Sequence, residues 1–257
     1  MKKTKLGLPL EYQKQPEYFD TFNIQDDTHS KNSILEKILK KYHVKTVLDL
    51  TCGTGSQVFF LAQHGYKITG ADFSPALLEI ARQTAHEQKL NLTFLDGDMR
   101  TLKVGNFDAV ITMFNAIGHL TKAGFEKTIK NVLRNLNPGG VYIFDIFNLS
   151  AMTDATVVNL AMYVQKKLDD SIIRLVQCST IDRKTGLLTS YDNYTIQKNA
   201  DKPVQLNNKF SLQLYTTEEL KKMLTKQGFE ILEQCDMNGS QFLENHSISI
   251  LTVARKK

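Results

Sequence analysis

Residues 45–63 of the chain have the sequence KTVLDLTCGTGSQVFFLAQ, in which two apolar stretches flank a turn that contains two glycines. The first stretch, 45–51, predicts a buried strand, and residues 55–63 predict a helix. Glycines at positions 53 and 55 let the backbone approach a ligand closely, because glycine has no Cβ. The segment therefore predicts a strand, a tight turn and a helix, with either a bound ligand or a plain connection at the turn.

Strands and helices alternate on both sides of this segment. Ser33 and Glu36 form a capping-box pattern that predicts the start of a helix, and Ser74-Pro75 predicts the start of another. Further strands are predicted at Tyr66–Asp72, Leu92–Leu95, Phe107–Thr112 and Val141–Phe147. Alternation of this kind predicts a parallel sheet with helices on both faces. We therefore expect an α/β fold, Rossmann-like and doubly wound, with a mostly parallel sheet of seven strands.

The pattern changes after Asn148. From Met162 to about Tyr215 the chain contains long β segments, and the turn residues 183–186 lie between two of them. Such segments predict an antiparallel β insertion. A helix is predicted from Thr216, and two final strands, 229–234 and 247–254, are expected to complete the edge of the main sheet.

Composition narrows the functional class. Of the 257 residues, 42% are hydrophobic and 23% are charged, as is usual for a globular protein, and the net charge is +5. The basic residues are dispersed, so a nucleic-acid partner is not indicated. The cysteines Cys52, Cys178 and Cys235 are far apart and suggest neither a disulfide framework nor a metal site. Because no apolar run approaches about 20 residues, we expect no membrane span and a cytoplasmic protein.

Two acidic segments follow the second and third predicted strands. Asp72 ends its strand 19 residues after Gly53, where a carboxylate can accept hydrogen bonds from both hydroxyls of a ribose. Asp98 and Met99 lie in the sequence DGDM, which suits either recognition of an adenine edge or a surface turn. A dinucleotide turn would need a third glycine, but Val58 occupies that position.

The fourth strand is followed by Met113-Phe114-Asn115-Ala116-Ile117-Gly118-His119. Sheets of this class bind ligands at the carboxyl ends of their strands, so Asn115 and His119 are candidate catalytic residues. A histidine in such a loop can equally be structural and hold the loop through a hydrogen bond.

Together, VLDLTCGTG, GADFS, DGDM, FDAVITMFNAIGHL and LNPGGVYIFD resemble, in this order, the class I S-adenosylmethionine-dependent methyltransferase family. The resemblance covers about residues 45–148, with weaker support from 216–254. The segment around Asn115 and His119 is most similar to the small-molecule branch that includes glycine N-methyltransferase. Thr51 departs from the family motif, which has its first glycine there.

The resemblance implies S-adenosylmethionine as cofactor and a role for each matching residue. Asp49 would orient the loop or meet the amino group of the cofactor, and the Met113 carbonyl would accept from the same ammonium. Phe73 would pack on the adenine, and Tyr18 would close over the cofactor. The turn residues Thr51, Cys52, Gly53 and Gly55 would line the methionine part, Asp72 would bind the ribose, and Asp98 and Met99 would read the adenine.

The expected division of the chain follows from the resemblance and the change of pattern. Residues 1–44 would form an N-terminal lid and helix, 45–148 the cofactor-binding core, 149–215 the antiparallel insertion, and 216–257 the last helix and two strands. The insertion is expected to shape the substrate pocket and to offer edges for a homodimer.

The acceptor class is narrowed by what the fourth motif lacks. The Asn/Asp-Pro-Pro-aromatic run of nucleic-acid amino-methylating enzymes is absent, and no glutamate pair typical of arginine methyltransferases lies between Asp96 and Thr121. We therefore expect methyl transfer to nitrogen or oxygen of a small molecule. An RNA or protein acceptor, or a non-catalytic module that binds the cofactor or acts by interaction, stays an alternative.

Overall fold

The computed structural model describes residues 6–22, 25–168 and 170–257. Residues 1–5 and 23–24 of the predicted N-terminal region lie outside the described residues. The main sheet of the protein has seven strands: β1 (Thr46–Asp49), β2 (Lys67–Asp72), β3 (Thr93–Asp96), β4 (Phe107–Thr112), β5 (Leu136–Phe147), β10 (Phe229–Cys235) and β11 (Ser249–Lys256). Their order across the sheet is β10-β11-β5-β4-β1-β2-β3.

Only β11 breaks the parallel arrangement of this sheet. It pairs antiparallel with both β5 and β10, whereas the other neighbouring pairs are parallel. The strand order reverses beside β1, because β2 and β3 lie on one side of it and β4 and β5 lie on the other. This reversal is where doubly wound sheets bind ligands. The predicted fold class, with its mostly parallel seven-stranded sheet, is confirmed.

Helices cover both faces of the main sheet. The helices are α1 (Gln25–Lys41), α2 (Ser56–Gln63), α3 (Pro75–Glu87), α4 (Lys122–Asn135), α5 (Asp154–Asn159) and α6 (Thr217–Lys226). Leu35, Leu61 and Leu78 of the first three helices pack in one hydrophobic core, and Phe125 and Leu220 of α4 and α6 pack in another. Along each strand, successive side chains pack alternately in one core and in the other, as expected for a strand that is buried on both faces.

A second sheet lies between β5 and α6. Its four antiparallel strands are β6 (Met162–Leu168), β7 (Ser171–Asp182), β8 (Leu187–Lys198) and β9 (Val204–Gln213). This confirms the predicted antiparallel insertion before the last helix. The chain leaves the core for the insertion and returns to it at the same place, where Asn148 forms a β-bridge with Tyr215. The insertion is therefore anchored at the carboxyl end of β5, on the edge of the sheet where ligands bind.

The N-terminal segment runs across the inner face of the insertion. The Leu6 carbonyl accepts a hydrogen bond of 2.6 Å from the Ser211 backbone N–H. Leu10 packs with Leu175 and Tyr194 of the second sheet. These contacts hold residues 6–20 between the second sheet and the carboxyl edge of the main sheet.

Helix α1 differs from its prediction. It begins at Gln25, so Ser33 lies inside the helix and not at its start. The Ser33 hydroxyl donates a hydrogen bond of 2.9 Å to the His29 carbonyl, which is the local bond that serine makes within a helix. The capping-box pattern is misleading here, because serine and glutamate at this spacing also occur within a helix, where Ser33 bonds to the preceding turn and the buried Glu36 pairs with Lys40. None of the helices in the described ranges is long and apolar enough to cross a membrane.

The two capping-box sequences give a first prediction. Thr216 caps α6, since its hydroxyl accepts from the Glu219 N–H at 3.2 Å and the Glu219 carboxylate accepts from the Thr216 N–H at 3.1 Å. Thr216→Ala should lower the free energy of unfolding by about 1 kcal/mol. Ser33→Ala is the matched control and should change it by less than about 0.5 kcal/mol. Urea unfolding of both variants measures this; an equal loss in both would contradict the assigned caps.

Candidate functional site

The turn after β1 is built around two glycines with positive φ angles. Gly53 has φ +53° and Gly55 has φ +97°, a region that side chains rarely adopt. A Cβ on Gly55 would lie 2.7 Å from the Phe59 ring, so no larger residue fits there without a shift. The Gly55 N–H donates to the Cys52 carbonyl at 2.8 Å and closes the turn. Backbone rather than side chains thus faces the space beyond β1.

Asp49 and Thr51 carry buried polar atoms that the fold leaves without partners. Asp49 Oδ1 accepts from the Thr51 N–H at 3.0 Å, but Asp49 Oδ2 and Thr51 Oγ1 have no hydrogen bond to any described residue. Burial raises the pKa of Asp49 to about 7, and the nearby Asp72 charge adds to the effect. Since buried polar groups are nearly always hydrogen-bonded, these two atoms are suited to a polar or cationic ligand group.

Asp72 ties the end of β2 to the glycine turn. Its Oδ2 accepts from the Gly53 N–H at 3.0 Å, and its Oδ1 accepts from the Ser74 N–H at 2.8 Å. Ser74 caps α3 through a hydrogen bond from Leu77 N–H, as its sequence position predicts. Burial raises the pKa of Asp72 to about 6 although the backbone donors lower it. Carboxylate oxygens retain further lone pairs, so Asp72 can still accept from a ligand.

A cavity of about 750 Å³ lies next to this turn; Leu50 and Phe73 line it, whereas Asp49, residues 51–55 and Asp72 do not. One wall comes from the ends of β1, β2 and β3, and the opposite wall comes from the N-terminal segment and β9. The cavity lies at the predicted edge of the sheet. It is lined by residues 7–10, Gln13, Lys14, Leu50, Phe73, residues 96–100, His119, Leu120 and Asn208.

Phe73, Asp98 and Met99 meet on the β3 side of the cavity. Asp98 is held by Arg100, which donates to it from its backbone N–H at 2.8 Å and from its guanidinium Nε at 2.8 Å. Burial raises the pKa of Asp98, but the hydrogen bonds and charge of Arg100 outweigh it and lower the pKa overall. The Met99 carbonyl accepts from Asn131 at 3.0 Å, which fixes the backbone of this wall.

The loop after β4 contains two residues in the left-handed region, Phe114 with φ +60° and Asn115 with φ +57°. Asp145 of β5 holds this conformation, because its Oδ2 accepts from the Asn115 N–H at 2.9 Å. The Asn115 amide oxygen in turn accepts from the Phe147 N–H at 3.0 Å. The sequence predicts a catalytic role for Asn115, but its side chain is committed to β5 and does not line the cavity. We assign to Asn115 the positioning of the loop that bears His119.

His119 ends a 3-10 turn, Ala116–His119, and lines the cavity with 9% of its surface exposed. Its Nε2 is 3.1 Å from the Tyr12 hydroxyl, and its Nδ1 has no hydrogen bond to any described residue. Burial lowers the pKa of His119 to about 4, so the ring is neutral near pH 7. A neutral imidazole with one free ring nitrogen can hydrogen-bond a ligand in the cavity.

Comparison with known proteins identifies the core. Residues 47–140 match a methyltransferase domain family. These residues of the chain form a methyltransferase domain. A putative methyltransferase of Bacillus subtilis (strain 168), YqeM, is 38% identical over 39% of this chain, and the match spans 41% of the relative's length. The glycine N-methyltransferase of Oryctolagus cuniculus is 26% identical over 74% of this chain and 71% of its own.

A solved structure shows the same fold over nearly the whole chain. The S-adenosylmethionine-bound CalS10, an amino pentose methyltransferase of Micromonospora echinaspora involved in calicheamicin biosynthesis, superimposes with a TM-score of 0.73. The match covers 95% of this chain and 96% of the other, with 19% sequence identity. It therefore extends the similarity of fold to the N-terminal segment and the insertion.

Tyr18 is a further predicted cofactor residue outside the lining of this cavity. Tyr18 was expected to close over the cofactor, but its side chain packs with Ile173 and Ile196 of the insertion and does not line the cavity. The ring of Tyr12 lies beside two residues that do line the cavity, 6.4 Å from Phe73 and 5.1 Å from His119, centroid to centroid. The two tyrosines lie on separate 3-10 turns, so sequence position alone could not tell which of them contacts the residues of the cavity wall.

Tyr12, Asp145 and Asn208 are site residues that the sequence analysis missed. A carboxylate within the otherwise apolar strand VYIFDIF was an available signal for Asp145, since aspartate is rarely buried without a partner. Asn208 lies on a strand of the insertion, where one amide side chain among many carries no recognisable signal.

Proposed function

We propose that this protein transfers a methyl group from S-adenosylmethionine to a nitrogen or oxygen atom of a small-molecule acceptor. The observation that carries the proposal is the pair of unpartnered buried atoms, Asp49 Oδ2 and Thr51 Oγ1, at a glycine turn whose neighbours in sequence and space, Leu50 and Phe73, line a cavity. The methyltransferase domain match over residues 47–140 places this turn in the part of the chain shared with that family.

The residues present fit the proposed cofactor. Asp49 Oδ2 and Thr51 Oγ1 would receive its amino group, since both atoms need a donor in a buried place. Asp72, beside Gly53, would accept from the ribose hydroxyls. Phe73 would pack on the adenine ring, and the Asp98–Met99 wall would meet its edge.

When bound, S-adenosylmethionine supplies an electrophilic methyl group on a sulfonium sulfur, so the protein need not provide a covalent nucleophile. The chain's task is then to hold the acceptor atom in line at near-attack distance and to exclude water. The N-terminal segment would exclude water, because residues 7–10 form one wall of the cavity and the segment is tied to two other lining residues: the Leu8 carbonyl accepts from Asn208, and the Tyr12 hydroxyl is 3.1 Å from His119 Nε2. His119, neutral near pH 7, would orient the acceptor and accept its proton as the new bond forms.

A small acceptor suits the dimensions of the site. The cavity of about 750 Å³ must hold the acceptor beside part of the cofactor, and residues 7–10 of the N-terminal segment take up one of its sides. The amino pentose methyltransferase that shares this fold is described as acting on an amino sugar, and another relative is a glycine N-methyltransferase. These names support a small amine as the first acceptor to test, and a hydroxyl compound as the second.

Pairing with a second copy through the insertion stays a prediction. Strand β6 lies at the edge of the second sheet, and its Tyr163 side chain is 67% exposed. Lys166 and Lys167 also lie on this strand, and lysines on an edge strand disfavour pairing. We propose that any homodimer uses the broad outer face of the sheet and not this edge.

Cofactor binding tests the proposal directly. Titration calorimetry should show binding of S-adenosylmethionine and its demethylated product but not of NAD, and saturation at 100 times Kd should stabilise the fold by about 2.7 kcal/mol. Asp72→Ala should weaken binding by roughly 10- to 100-fold through lost charge-assisted hydrogen bonds. Asp108→Ala is the matched control, because Asp108 also accepts from two backbone N–H groups, Lys45 and Thr46, but at the opposite edge of the sheet. A melting curve unmoved by millimolar cofactor would refute the proposal.

The buried Asp49 predicts a pH-dependent affinity. Its pKa of about 7 in the folded protein lies above its ordinary value of 3.8, so ionisation opposes folding and the unliganded protein loses stability between these pH values as pH rises. A cationic amino group binds the ionised form, so cofactor affinity should increase by up to about tenfold per pH unit from pH 5 to 7 and then level off. Asp49→Asn should flatten this slope. Calorimetry in buffers of different ionisation enthalpy counts the released protons, and equal proton release by the variant would contradict the role of Asp49.

His119 is expected to affect turnover more than cofactor affinity. His119→Asn should lower kcat by roughly 100-fold, within the range for a lost proton-transfer group, while the cofactor Kd changes less than about twofold. His64→Asn is the control, because His64 is exposed and hydrogen-bonds to the Phe60 carbonyl away from the cavity. Near-normal turnover of His119→Asn with an identified acceptor would leave His119 as a structural residue.

A further inference from the structure

A row of polar side chains crosses the inner face of the insertion. Gln177, Asp192 and Asn208 lie opposite one another on β7, β8 and β9. Gln177 donates to Asp192 Oδ1 at 2.7 Å, and Asn208 donates to Asp192 Oδ2 at 3.3 Å. Asp192 is only 3% exposed. The neighbouring row, Leu175–Tyr194–Leu206, is largely apolar, so this polar row is costly for the sheet unless each of its groups is satisfied.

The hydrogen bonds fix the orientation of the Asn208 amide. Its Nδ2 donates both to Asp192 Oδ2 and to the Leu8 carbonyl, the latter at 3.0 Å. A carbonyl oxygen and a carboxylate can only accept, so the reverse orientation would set the amide oxygen of Asn208 against two acceptors. Both N–H bonds are therefore used, and the amide oxygen is the one polar atom of this side chain that bonds to no described residue.

Asn208 also lines the cavity, on the wall opposite the glycine turn. The same wall contains Leu8 and Leu10, which are apolar, and His119 lies on the adjoining side. Among the described residues of the insertion, Asn208 alone lines this cavity. The free lone pair of the Asn208 amide oxygen is therefore the polar contact that the insertion offers to a methyl acceptor in the cavity.

We propose that Asn208 is an acceptor-recognition residue, held by Asp192 and the Leu8 carbonyl so that its amide oxygen receives an N–H or O–H group of the methyl acceptor. The inference rests on the proposed function and adds a substrate class to it. The methyl acceptor would carry a hydrogen-bond donor, either on the atom that is methylated or on a second atom. Asp192 is a positioning residue in this arrangement, since it sets the orientation of Asn208 without lining the cavity.

The test uses the full chain saturated with S-adenosylhomocysteine, so that no turnover occurs. Two probes differ only in a donor: cyclohexanol, which has an O–H, and cyclohexyl methyl ether, which has none. Their Kd values are measured by NMR titration, with the ¹⁵N side-chain resonance of Asn208 as a local signal. Cyclohexanol should bind more tightly than the ether and shift this resonance.

Asn208→Ala should remove the preference for cyclohexanol, a change of roughly three- to tenfold for one neutral hydrogen bond. Asp192→Asn should reduce the preference too, because an asparagine there can donate and lets the Asn208 amide reverse. Asn207→Ala is the matched control: Asn207 lies on the opposite face of β9, where it accepts from Asn193 at 2.9 Å, and its loss should leave the preference intact.

Each outcome separates this inference from the proposed function. If S-adenosylhomocysteine does not bind, the proposed function fails. If it binds and Asn208→Ala keeps the wild-type preference for cyclohexanol, the assignment of Asn208 is overturned. Should Asn208→Ala fail to fold, the Asp192→Asn variant is used, and the ratio of the Kd values for the ether and for cyclohexanol is compared with that of the wild type. An unchanged ratio, together with an Asn208 resonance that does not shift on binding, overturns the inference.

Discussion

Two carboxylates buried at the ends of adjacent parallel strands are the constraint on which this site depends. Asp49 and Asp72 lie at the carboxyl ends of β1 and β2, and burial raises the pKa of each. The fold tolerates them because backbone N–H groups of the glycine turn and of Ser74, the N-cap of α3, donate to their oxygens. The turn can present these donors only because Gly53 and Gly55 adopt positive φ angles. The conformation of the glycine turn thus makes it possible to bury both carboxylates here.

The positions of Asp49, the glycine turn and Asp72 relative to one another were predicted well from the sequence. Strand β1, the glycine turn and α2 are contiguous, so local pattern and spacing were enough to place Asp49 and Gly53 together. Asp72 was predicted from its position at the end of the next strand, since parallel strands bring their carboxyl ends to one edge. The alternation of strands and helices likewise predicted the sheet, because strands buried on both faces have distinct apolar runs.

The rest of the site depends on contacts between residues far apart in sequence, and it was predicted less well. Tyr12 and His119 are 107 residues apart, and only the packing of the N-terminal segment on the insertion brings them within hydrogen-bond distance. Tyr18 was predicted instead from the resemblance, which rested only on its position in the N-terminal segment, and position does not distinguish it from Tyr12. The start of α1 was also misplaced, since Ser33 and Glu36 have the residue types and spacing of a cap although they lie within the helix. The roles of individual site residues stay predictions, because they concern a ligand and not the fold.

The connection between the insertion and the core has a consequence for how such proteins diversify. The insertion leaves after Asn148 and returns at Tyr215, and these two residues are bridged to each other. A segment whose ends meet can be lengthened, shortened or exchanged for another without altering the path of the chain in the core, as with other inserted domains. The methyl-donor side and the acceptor side can therefore evolve at different rates. Grafting a relative's segment at this bridge is accordingly a practical route to redesigning selectivity.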